Sequence, residues 1–363
     1  MNHKEWFKIK TPSPVCIGTG LIALDVLING DPKSPPKLWT GGSCGNVLTI
    51  LSYLGWKSYP LARLRDDVAA EELIKDLREW KVRTSLISRN GSGNTPIIIE
   101  KIGTRRSGVP WHRFEWVCPN CGSWFPKFKP VLARDIRQIS MRIPQSQVFY
   151  FDRIVRSSIE LAKMNKSKGA LVVFEPSGIN DKKLFYKCLE VADIVKFSHE
   201  RLGHAQELIE RINVPLEIET LGAGGLRYRI DGNGKRRRKW KTMRSYPVVN
   251  LKDAAGAGDW CSAGIIHLLG SAGRKGFEKA DAKDIDAALS FGQALAALNC
   301  YYEGARGNMY RISKRKFQTL IHEIWNGTSP LESIEEKETV RTSKVIRHIC
   351  PYCGNHRRFS RFI

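Results

Sequence analysis

The stretch Asp253-Ala254-Ala255-Gly256-Ala257-Gly258-Asp259 lies at the start of an apolar helix predicted over residues 259–269. Glycine and alanine let the backbone approach a phosphate closely, and free N–H groups at a helix start point toward such an anion. The carboxylate of Asp259 stands where it could accept the proton of an attacking hydroxyl. The stretch therefore indicates an anion-binding turn with a general base, although an ordinary helix N-cap has the same local pattern.

On both sides of this turn, short apolar runs alternate with segments of helical spacing. Strands are predicted over residues 15–18, 147–151, 169–174, 193–197 and 216–221, and helices over 46–54, 68–80, 157–164, 184–190, 205–212 and 285–300. A hairpin is predicted from 226–230 and 240–243 around a Gly-rich turn at 231–234. This alternation predicts a mostly parallel sheet with helices on both faces.

The bulk composition limits the class of protein. The 363 residues, 42% of them hydrophobic, suffice for one large α/β domain or two modest ones. The longest apolar runs are too short to cross a bilayer, and no apolar segment follows the N-terminus, so we expect a cytoplasmic protein without a membrane partner.

The net charge of +23 predicts attraction to phosphorylated ligands and polyanions. The basic run at 235–241 is either a solvated loop or a contact for nucleic acid or another anionic partner.

Several other segments share one feature, which is their order and spacing relative to the turn at 253–259. They are Ile17-Gly18 with Asp25, Gly41-Gly42 with Asn46 and Leu54-Gly55, Phe174-Glu175-Pro176-Ser177, Ile194-Val195-Lys196-Phe197-Ser198 with Glu200, and Thr220-Leu221-Gly222 with Gly225. In this arrangement, roughly residues 14–320 resemble the ribokinase-like (PfkB) carbohydrate kinases. The turn itself resembles the C-terminal signature of that family, Asp-Thr-x-Gly-Ala-Gly-Asp.

The resemblance implies a ribokinase-like three-layer α/β sandwich with a mostly parallel central sheet and a small β lid. It implies ATP-dependent phosphotransfer to a hydroxyl of a sugar, sugar acid or nucleoside. Asp259 would be the general base, and the anion hole would be formed by Ala255, Gly256, Ala257 and Gly258. The acceptor would be held by Asp25, Gly41, Gly42 and Asn46. ATP would lie against Lys196, Ser198, Glu200, Thr220, Gly222 and Gly225, and Mg²⁺ would arrive with the nucleotide.

The sequence departs from the family pattern at three places. Ala254 replaces the usual Thr, and Ser198-His199-Glu200-Arg201 stands where an Asn-x-x-Glu motif often organises the water shell of magnesium, so that Glu200 is the substitute. Asp152 and Arg153 follow the strand that lines the acceptor pocket in such kinases. An Arg there suits an acceptor with a carboxylate or phosphate, and an ordinary surface ion pair is the alternative.

Two Cys-Pro-x-Cys-Gly segments have the form of zinc knuckles, Cys118-Pro119-Asn120-Cys121-Gly122 and Cys350-Pro351-Tyr352-Cys353-Gly354. Two thiolates three residues apart can chelate Zn²⁺, and two knuckles complete a four-thiolate structural site. A pair of redox Cys-x-x-Cys motifs is the rival interpretation.

One shared ion would join an insertion at 103–134, next to the lid segment 95–102, to a tail at 329–363. We expect such an ion to rigidify a zinc-ribbon-like lid and to shape acceptor choice. The nearby histidines, His112, His348 and His356, are expected to be solvated or packed.

Two functions remain open from the sequence. The first is the kinase, acting on a small hydroxylated molecule; lids of the family it resembles often pair across a homodimer, which leaves the oligomeric state open. The second is a nucleic-acid-binding or regulatory protein on a kinase-like fold that uses the knuckles and the basic surface. Asp259 with an intact Gly-Ala-Gly before it favours the kinase, because a protein without activity has no reason to keep that combination.

Overall fold

The computed structural model describes residues 7, 12–29, 36–104, 110–209, 212–230, 239–327 and 349–353. The strands of these residues are β1 (Val15–Thr19), β2 (Ala23–Ile28), β3 (Lys37–Gly41), β4 (Lys57–Leu64), β5 (Ile87–Arg89), β6 (Ile97–Thr104), β7 (Pro110–Glu115), β8 (Val148–Phe151), β9 (Leu171–Phe174), β10 (Ile194–Ser198), β11 (Leu216–Thr220), β12 (Leu226–Ile230) and β13 (Lys241–Met243). The helices are α1 (Ser43–Tyr53), α2 (Val68–Glu79), α3 (Ile136–Ser140), α4 (Arg156–Ser167), α5 (Lys182–Val191), α6 (His199–Leu202), α7 (Gln206–Ile209), α8 (Ala257–Leu269), α9 (Gly273–Glu278), α10 (Ala282–Asn299), α11 (Gly307–Arg311) and α12 (Lys314–Trp325).

The central sheet has the strand order β13-β12-β11-β10-β9-β8-β1-β4-β5. All neighbours from β11 to β5 pair in parallel, while β12 and β13 add an antiparallel edge. Parallel neighbours require crossover connections, and the helices between successive strands supply them. The predicted mostly parallel α/β sheet is therefore confirmed.

Two hydrophobic cores lie on the two faces of this sheet because side chains alternate along each strand. On one face Val148 and Tyr150 of β8 contact the core that includes α1, α8 and α10. On the other face Phe149 and Phe151 join the core of α4 and α5. Burial on both faces explains why the strands are continuous apolar runs in the sequence. Sheet and flanking helices form the expected three layers.

A second sheet, with the order β3-β2-β6-β7, forms the lid. Strand β2 pairs antiparallel to β3 and parallel to β6, and β7 is the antiparallel edge strand. Two residues separate the end of β7 from the first cysteine knuckle, so the lid continues directly into it.

Some local predictions differ from the structure. The helix predicted over 205–212 is shorter in the structure, where α7 begins at Gln206 and ends at Ile209, and the preceding α6 was not predicted. Helix α12 was not predicted, although the sequence carries two signals for it. Ser313 caps the helix by accepting the N–H of Lys316. Phe317 and Leu320 are buried at helical spacing. The predicted hairpin turn at 231–234 and residues 235–238 of the basic run lie outside the described residues. None of the described helices is long and apolar enough to cross a membrane.

Candidate active site

The site residues lie at one edge of the central sheet, where its parallel strands end. Asp152 follows β8, Glu175 follows β9, Ser198 ends β10 and Thr220 ends β11. Parallel strands bring their carboxyl ends to the same edge, and open α/β sheets bind ligands there. The order of strands thus gathers residues that are far apart in the sequence.

The turn at residues 253–259, here called the anion turn, is fixed by its first residue. The carboxylate of Asp253 is buried and accepts the N–H of Ala255 at 2.9 Å and that of Gly304 at 2.8 Å. Gly256 has a φ of 71°, and a methyl group there would overlap the carbonyl of Ala305, so only glycine fits. Helix α8 starts at the next residue, and its first N–H groups are available to an anion.

Asp259 lies in the first turn of α8 and faces the acceptor side of the site. Its Oδ2 accepts a hydrogen bond of 2.8 Å from Nδ2 of Asn46. Burial and the nearby carboxylate of Glu175 raise the pKa of Asp259 to about 7, although Asn46 and the cation of Lys196 oppose the shift. A carboxylate with this pKa suits a general base at neutral pH.

Sequence reasoning assigned no role to Glu175, which lies behind the anion turn. Glu175 forms an ion pair with Lys196 and accepts hydrogen bonds from the hydroxyls of Tyr150 and Ser262. A methyl group at Gly258 would lie 3.7 Å from Nζ of Lys196, so the cation stands directly behind the turn. Lys196, expected to contact the nucleotide, is buried in this pair. The only signal in the sequence was an acid at the end of an apolar strand.

On the acceptor side, the carboxylate of Asp25 lies against the first glycine of Gly41-Gly42. A side chain at Gly41 would overlap this carboxylate, and Gly42 has a φ of 75°. Asp25 is 8% exposed and its Oδ1 has no hydrogen-bond partner among the described residues. Burial raises the pKa of Asp25 to about 7, and the cation of Arg306 opposes this shift. An unpartnered buried carboxylate of this kind can accept a hydroxyl of a ligand.

Arg306 is a second residue that sequence reasoning missed. It is 1% exposed and donates to Oδ1 of Asn46 at 3.1 Å, to Oδ2 of Asp76 at 2.9 Å and to the carbonyl of Thr40. Because Asn46 accepts from Arg306 and donates to Asp259, Arg306 fixes the orientation of the amide. No local pattern could reveal this, since Arg306 and Asn46 are 260 positions apart.

Asp152 and Arg153 have different partners from those expected. Asp152 is buried, and its two carboxylate oxygens accept the N–H groups of Leu21 and Cys44 at 2.9 and 3.2 Å. Arg153 donates to the carbonyl of Asp152 at 3.0 Å and to the hydroxyl of Ser177 at 2.9 Å. Both residues hold neighbouring parts of the chain in place, and contact of either with an acceptor stays a prediction.

The remaining nucleotide-side residues lie along the ends of β10 and β11. Glu200 is exposed on α6, and the hydroxyl of Thr220 donates to the carbonyl of Phe197 at 3.4 Å. Gly222 has a φ of 59° and open space where a side chain would stand. Gly225 is required because β13 passes close to it. The structure places these residues and Ser198 at the same edge, as the resemblance implies.

The four knuckle cysteines, here called the Cys cluster, come together in the structure. Their sulfur atoms lie within 4.8 Å of one another. Sγ of Cys118 is 3.6 Å from that of Cys353, and Sγ of Cys121 is 3.8 Å from that of Cys350. A tetrahedral Zn²⁺ with bonds of about 2.3 Å would need sulfur separations of about 3.8 Å. The geometry fits one four-thiolate ion, and the two knuckles form one cluster rather than two separate redox pairs.

His112 is exposed and outside the Cys cluster, as the sequence suggested, but it also has a specific partner. From β7 its Nδ1 lies 3.0 Å from Oδ1 of Asp253. The hydrogen bond to Asp253 raises the pKa of His112 despite its partial burial. The lid strand therefore contacts the anion turn directly. His348 and His356 lie outside the described residues.

No model of a protein family matches the sequence, and no curated protein matches it. Solved structures do match. One is an uncharacterized sugar kinase from Pyrococcus horikoshii, with a TM-score of 0.60 and 20% identity over 86% of this chain and 99% of the other. The chain has the ribokinase fold. A ribokinase from Arabidopsis thaliana solved with ribose and ATP matches with a TM-score of 0.59 and 16% identity over 86% of this chain and 98% of the other.

A third match bears on the range of ligands that this fold accepts. It is aminoimidazole riboside kinase from Salmonella enterica, solved with its riboside and an ATP analogue, with a TM-score of 0.62 and 18% identity over 85% of this chain and 99% of the other. At these sequence identities the structural likeness establishes the fold. The resemblance drawn from the motifs is therefore confirmed for the fold. Ribokinase-fold proteins thus include kinases of both sugars and ribosides, so the fold leaves the acceptor of this chain open.

Proposed function

We propose that the protein is a kinase that transfers the γ-phosphoryl group of ATP to a hydroxyl of a sugar-like acceptor. One observation carries the proposal. Asp259, a carboxylate with a pKa of about 7, lies between the amide of Asn46 and the free N–H groups of the anion turn. A general base thereby stands beside an anion hole, which is the arrangement that phosphoryl transfer to a hydroxyl needs.

In this mechanism the acceptor hydroxyl lies between Asp25 and Asp259. Asp259 accepts the hydroxyl proton while the acceptor oxygen forms a bond to the γ-phosphorus. The bond from the γ-phosphorus to the bridging oxygen breaks, and its electron pair leaves with ADP. The N–H groups of Gly256 and Gly258 bind the transferring oxygens, and the cation of Lys196 behind Gly258 supports the negative charge. The products are ADP and a phosphate monoester.

The donor set fits a magnesium ion held mainly by the nucleotide. Mg²⁺ takes phosphate oxygens and water together with few protein ligands, and it would neutralise the charge of the phosphates. Glu200 is the exposed acid that would face its water shell, whereas Arg201 replaces the acid of the usual motif. We also assign a structural Zn²⁺ to the Cys cluster, on the basis of its sulfur spacing.

The acceptor side favours a neutral, polyhydroxylated molecule. Asp25 offers an unpartnered oxygen, which suits a hydroxyl and repels an anion. Arg153 donates to protein oxygens, and Arg306 donates to Asn46, Thr40 and Asp76 while its Nη1 is buried with no hydrogen-bond partner among the described residues. The unpartnered oxygen of Asp25 is the feature that favours a sugar or nucleoside over a sugar acid.

The test is a screen of sugars, sugar acids and nucleosides for acceptor-dependent release of ADP, repeated with Asp259→Asn. We expect transfer with the wild type and a loss of kcat of about 10²–10⁴-fold in the variant, the usual contribution of a general base. Binding of a non-hydrolysable ATP analogue, measured by calorimetry, should be retained. Unchanged kcat in the variant would remove Asp259 as the base. ADP release with no acceptor, together with salt-sensitive binding of nucleic acid, would favour the alternative function.

A further inference from the structure

The edge strand of the lid, β7, contacts the anion turn through His112. The lid sheet carries Asp25 on β2, two strands away from His112 on β7. Nδ1 of His112 lies 3.0 Å from Oδ1 of Asp253, whose side chain is fully buried. His112 thus links the lid to the first residue of the anion turn.

Asp253 is the residue on which the shape of the anion turn depends. Its carboxylate holds the N–H of Ala255 inside the turn and the N–H of Gly304 on the neighbouring loop. The lid touches this loop as well, because a side chain at Gly304 would meet the ring of Trp39 and the side chain of Leu27. The lid therefore contacts the Asp253 assembly twice, through His112 and through the packing on Gly304.

We infer that His112 is a positioning residue of the proposed phosphoryl transfer, one that couples the position of the lid to the shape of the anion turn through Asp253. The inference rests on the proposed function for its kinetic readout. When β7 lies on the turn, His112 restrains the carboxylate that orients the N–H of Ala255. When β7 moves away, Asp253 loses this partner and the turn loses one of its restraints.

Charge supports this pairing. The charged groups that act on His112 come from the loop before α8 and from α6, and they are Asp253, Glu200 and Arg201. The carboxyl group of Glu100, on β6, interacts electrostatically with Asp253. Burial tends to raise the pKa of Asp253. The hydrogen bonds from His112 and from the N–H groups of Ala255 and Gly304 outweigh burial and lower this pKa. A carboxylate and an imidazolium are thus favoured together.

The pH dependence follows from the two shifts. The pKa of His112 is raised, so the charged pair with Asp253 is complete below the ordinary histidine value of about 6.5 and is lost as pH rises through the raised value. Asp259 becomes an active base only as pH rises through about 7. Wild-type kcat should therefore rise with pH and then fall, the ascending limb belonging to Asp259 and the descending limb to His112.

The kinetic experiment compares three variants of one strand. His112→Asn keeps an N–H donor near the position of Nδ1 but does not titrate, so kcat should stay within about threefold of wild type while the descending limb disappears. His112→Ala should lower kcat by about 10-fold, with the KM of the acceptor little changed. Arg113→Ala, next along β7 with a side chain that is 72% exposed, is the control and should keep both limbs. A descending limb that persists in His112→Asn would overturn the inference.

A second measurement does not depend on the reaction. The ring of His112 is titrated by NMR in the wild type and in Asp253→Asn, with melting curves to confirm that the variant folds. We expect the pKa of His112 to fall by about one unit in the variant, because the carboxylate is gone. An unchanged pKa would refute the pairing. If the pKa falls but no acceptor is ever phosphorylated, the proposed function fails while the contact between lid and turn stands.

Discussion

The anion turn and the Cys cluster are two small polar assemblies that the protein builds in different ways. The turn is seven consecutive residues, and its partners Gly304 and Asn299 hold its backbone from inside the core. The Cys cluster joins two knuckles that are 229–235 positions apart, and half of its cysteines are only partly buried. Hydrogen bonds of the fold shape the turn, whereas in the cluster the proposed Zn²⁺ would hold the four thiolates together.

The turn and the cluster therefore have different tasks. The turn must present N–H groups in a fixed geometry, because stabilisation of a transition state depends on donors placed before the reaction starts. The cluster lies after β7 and need only hold the edge of the lid. His112, six positions before Cys118 in the sequence, contacts the turn through Asp253. We therefore expect changes in the turn to abolish activity, and changes in the cluster to weaken it.

The sharpest comparison uses two glycines with the same φ of 71°, Gly256 in the turn and Gly122 in the first knuckle. Gly256→Ala adds a methyl group that overlaps Ala305, whereas Gly122→Ala meets open space. The first should lower the free energy of unfolding by several kcal/mol and abolish transfer, and the second should cost about 1 kcal/mol. Urea titrations and ADP release measure both. Equal losses of stability and activity in the two variants would mean that the surroundings of the two glycines do not distinguish the two regions.

Loss of a thiolate from the cluster should have the next largest effect. In Cys350→Ser a four-thiolate site is broken, so zinc measured by mass spectrometry should fall from one ion per chain to a small fraction. Cys188→Ser, at a buried cysteine on α5 far along the chain from either knuckle, is the control and should keep its metal. Unchanged zinc in Cys350→Ser would refute a site shared by the two knuckles.

Asp25 tests the acceptor side of the lid. Asp25→Asn replaces the unpartnered oxygen by an amide that can no longer accept in the same way, so the kcat/KM for the acceptor should fall by about 10–100-fold. The KM for ATP should stay within a factor of about two. Asp181→Asn is the control, since Asp181 caps α5 and Asn caps helices equally well. A rise in the KM for ATP alone would place Asp25 on the nucleotide side.

The two carboxylates at the ends of the anion turn should show stability effects of opposite sign. The pKa of Asp259 is raised to about 7, so its contribution is greatest below about 4 and is lost as pH rises through 7. Asp259→Asn should then raise Tm by a few degrees at pH 8 and less at pH 5. The pKa of Asp253 is lowered, so its contribution is present above about 4 and lost as pH falls further. Asp253→Asn should lower Tm at pH 8, and this difference should shrink on acidification. Calorimetry at both pH values would show whether the signs differ.

Much of the fold follows from the periodicity of the sequence. Apolar runs and amphipathic segments predicted the strands and helices of the central sheet, because burial on both faces leaves a continuous apolar pattern. The short helix α6 was not resolved in this way, since one helical turn is too short to show a period. The acid of Glu175 was visible but had no role until its partners, Lys196 and Ser262, were known.

The sequence alone predicted the anion turn and the proposed base. Gly256 and Asp259 act through local backbone geometry, which seven consecutive residues can encode. Only the tertiary structure decided what surrounds them: Arg306 behind Asn46, Glu175 behind Gly258, and His112 on Asp253. The reason is physical, since pKa values and orientations depend on charges and burial within a few ångströms. Strand order, rather than distance along the chain, decides which side chains are that close.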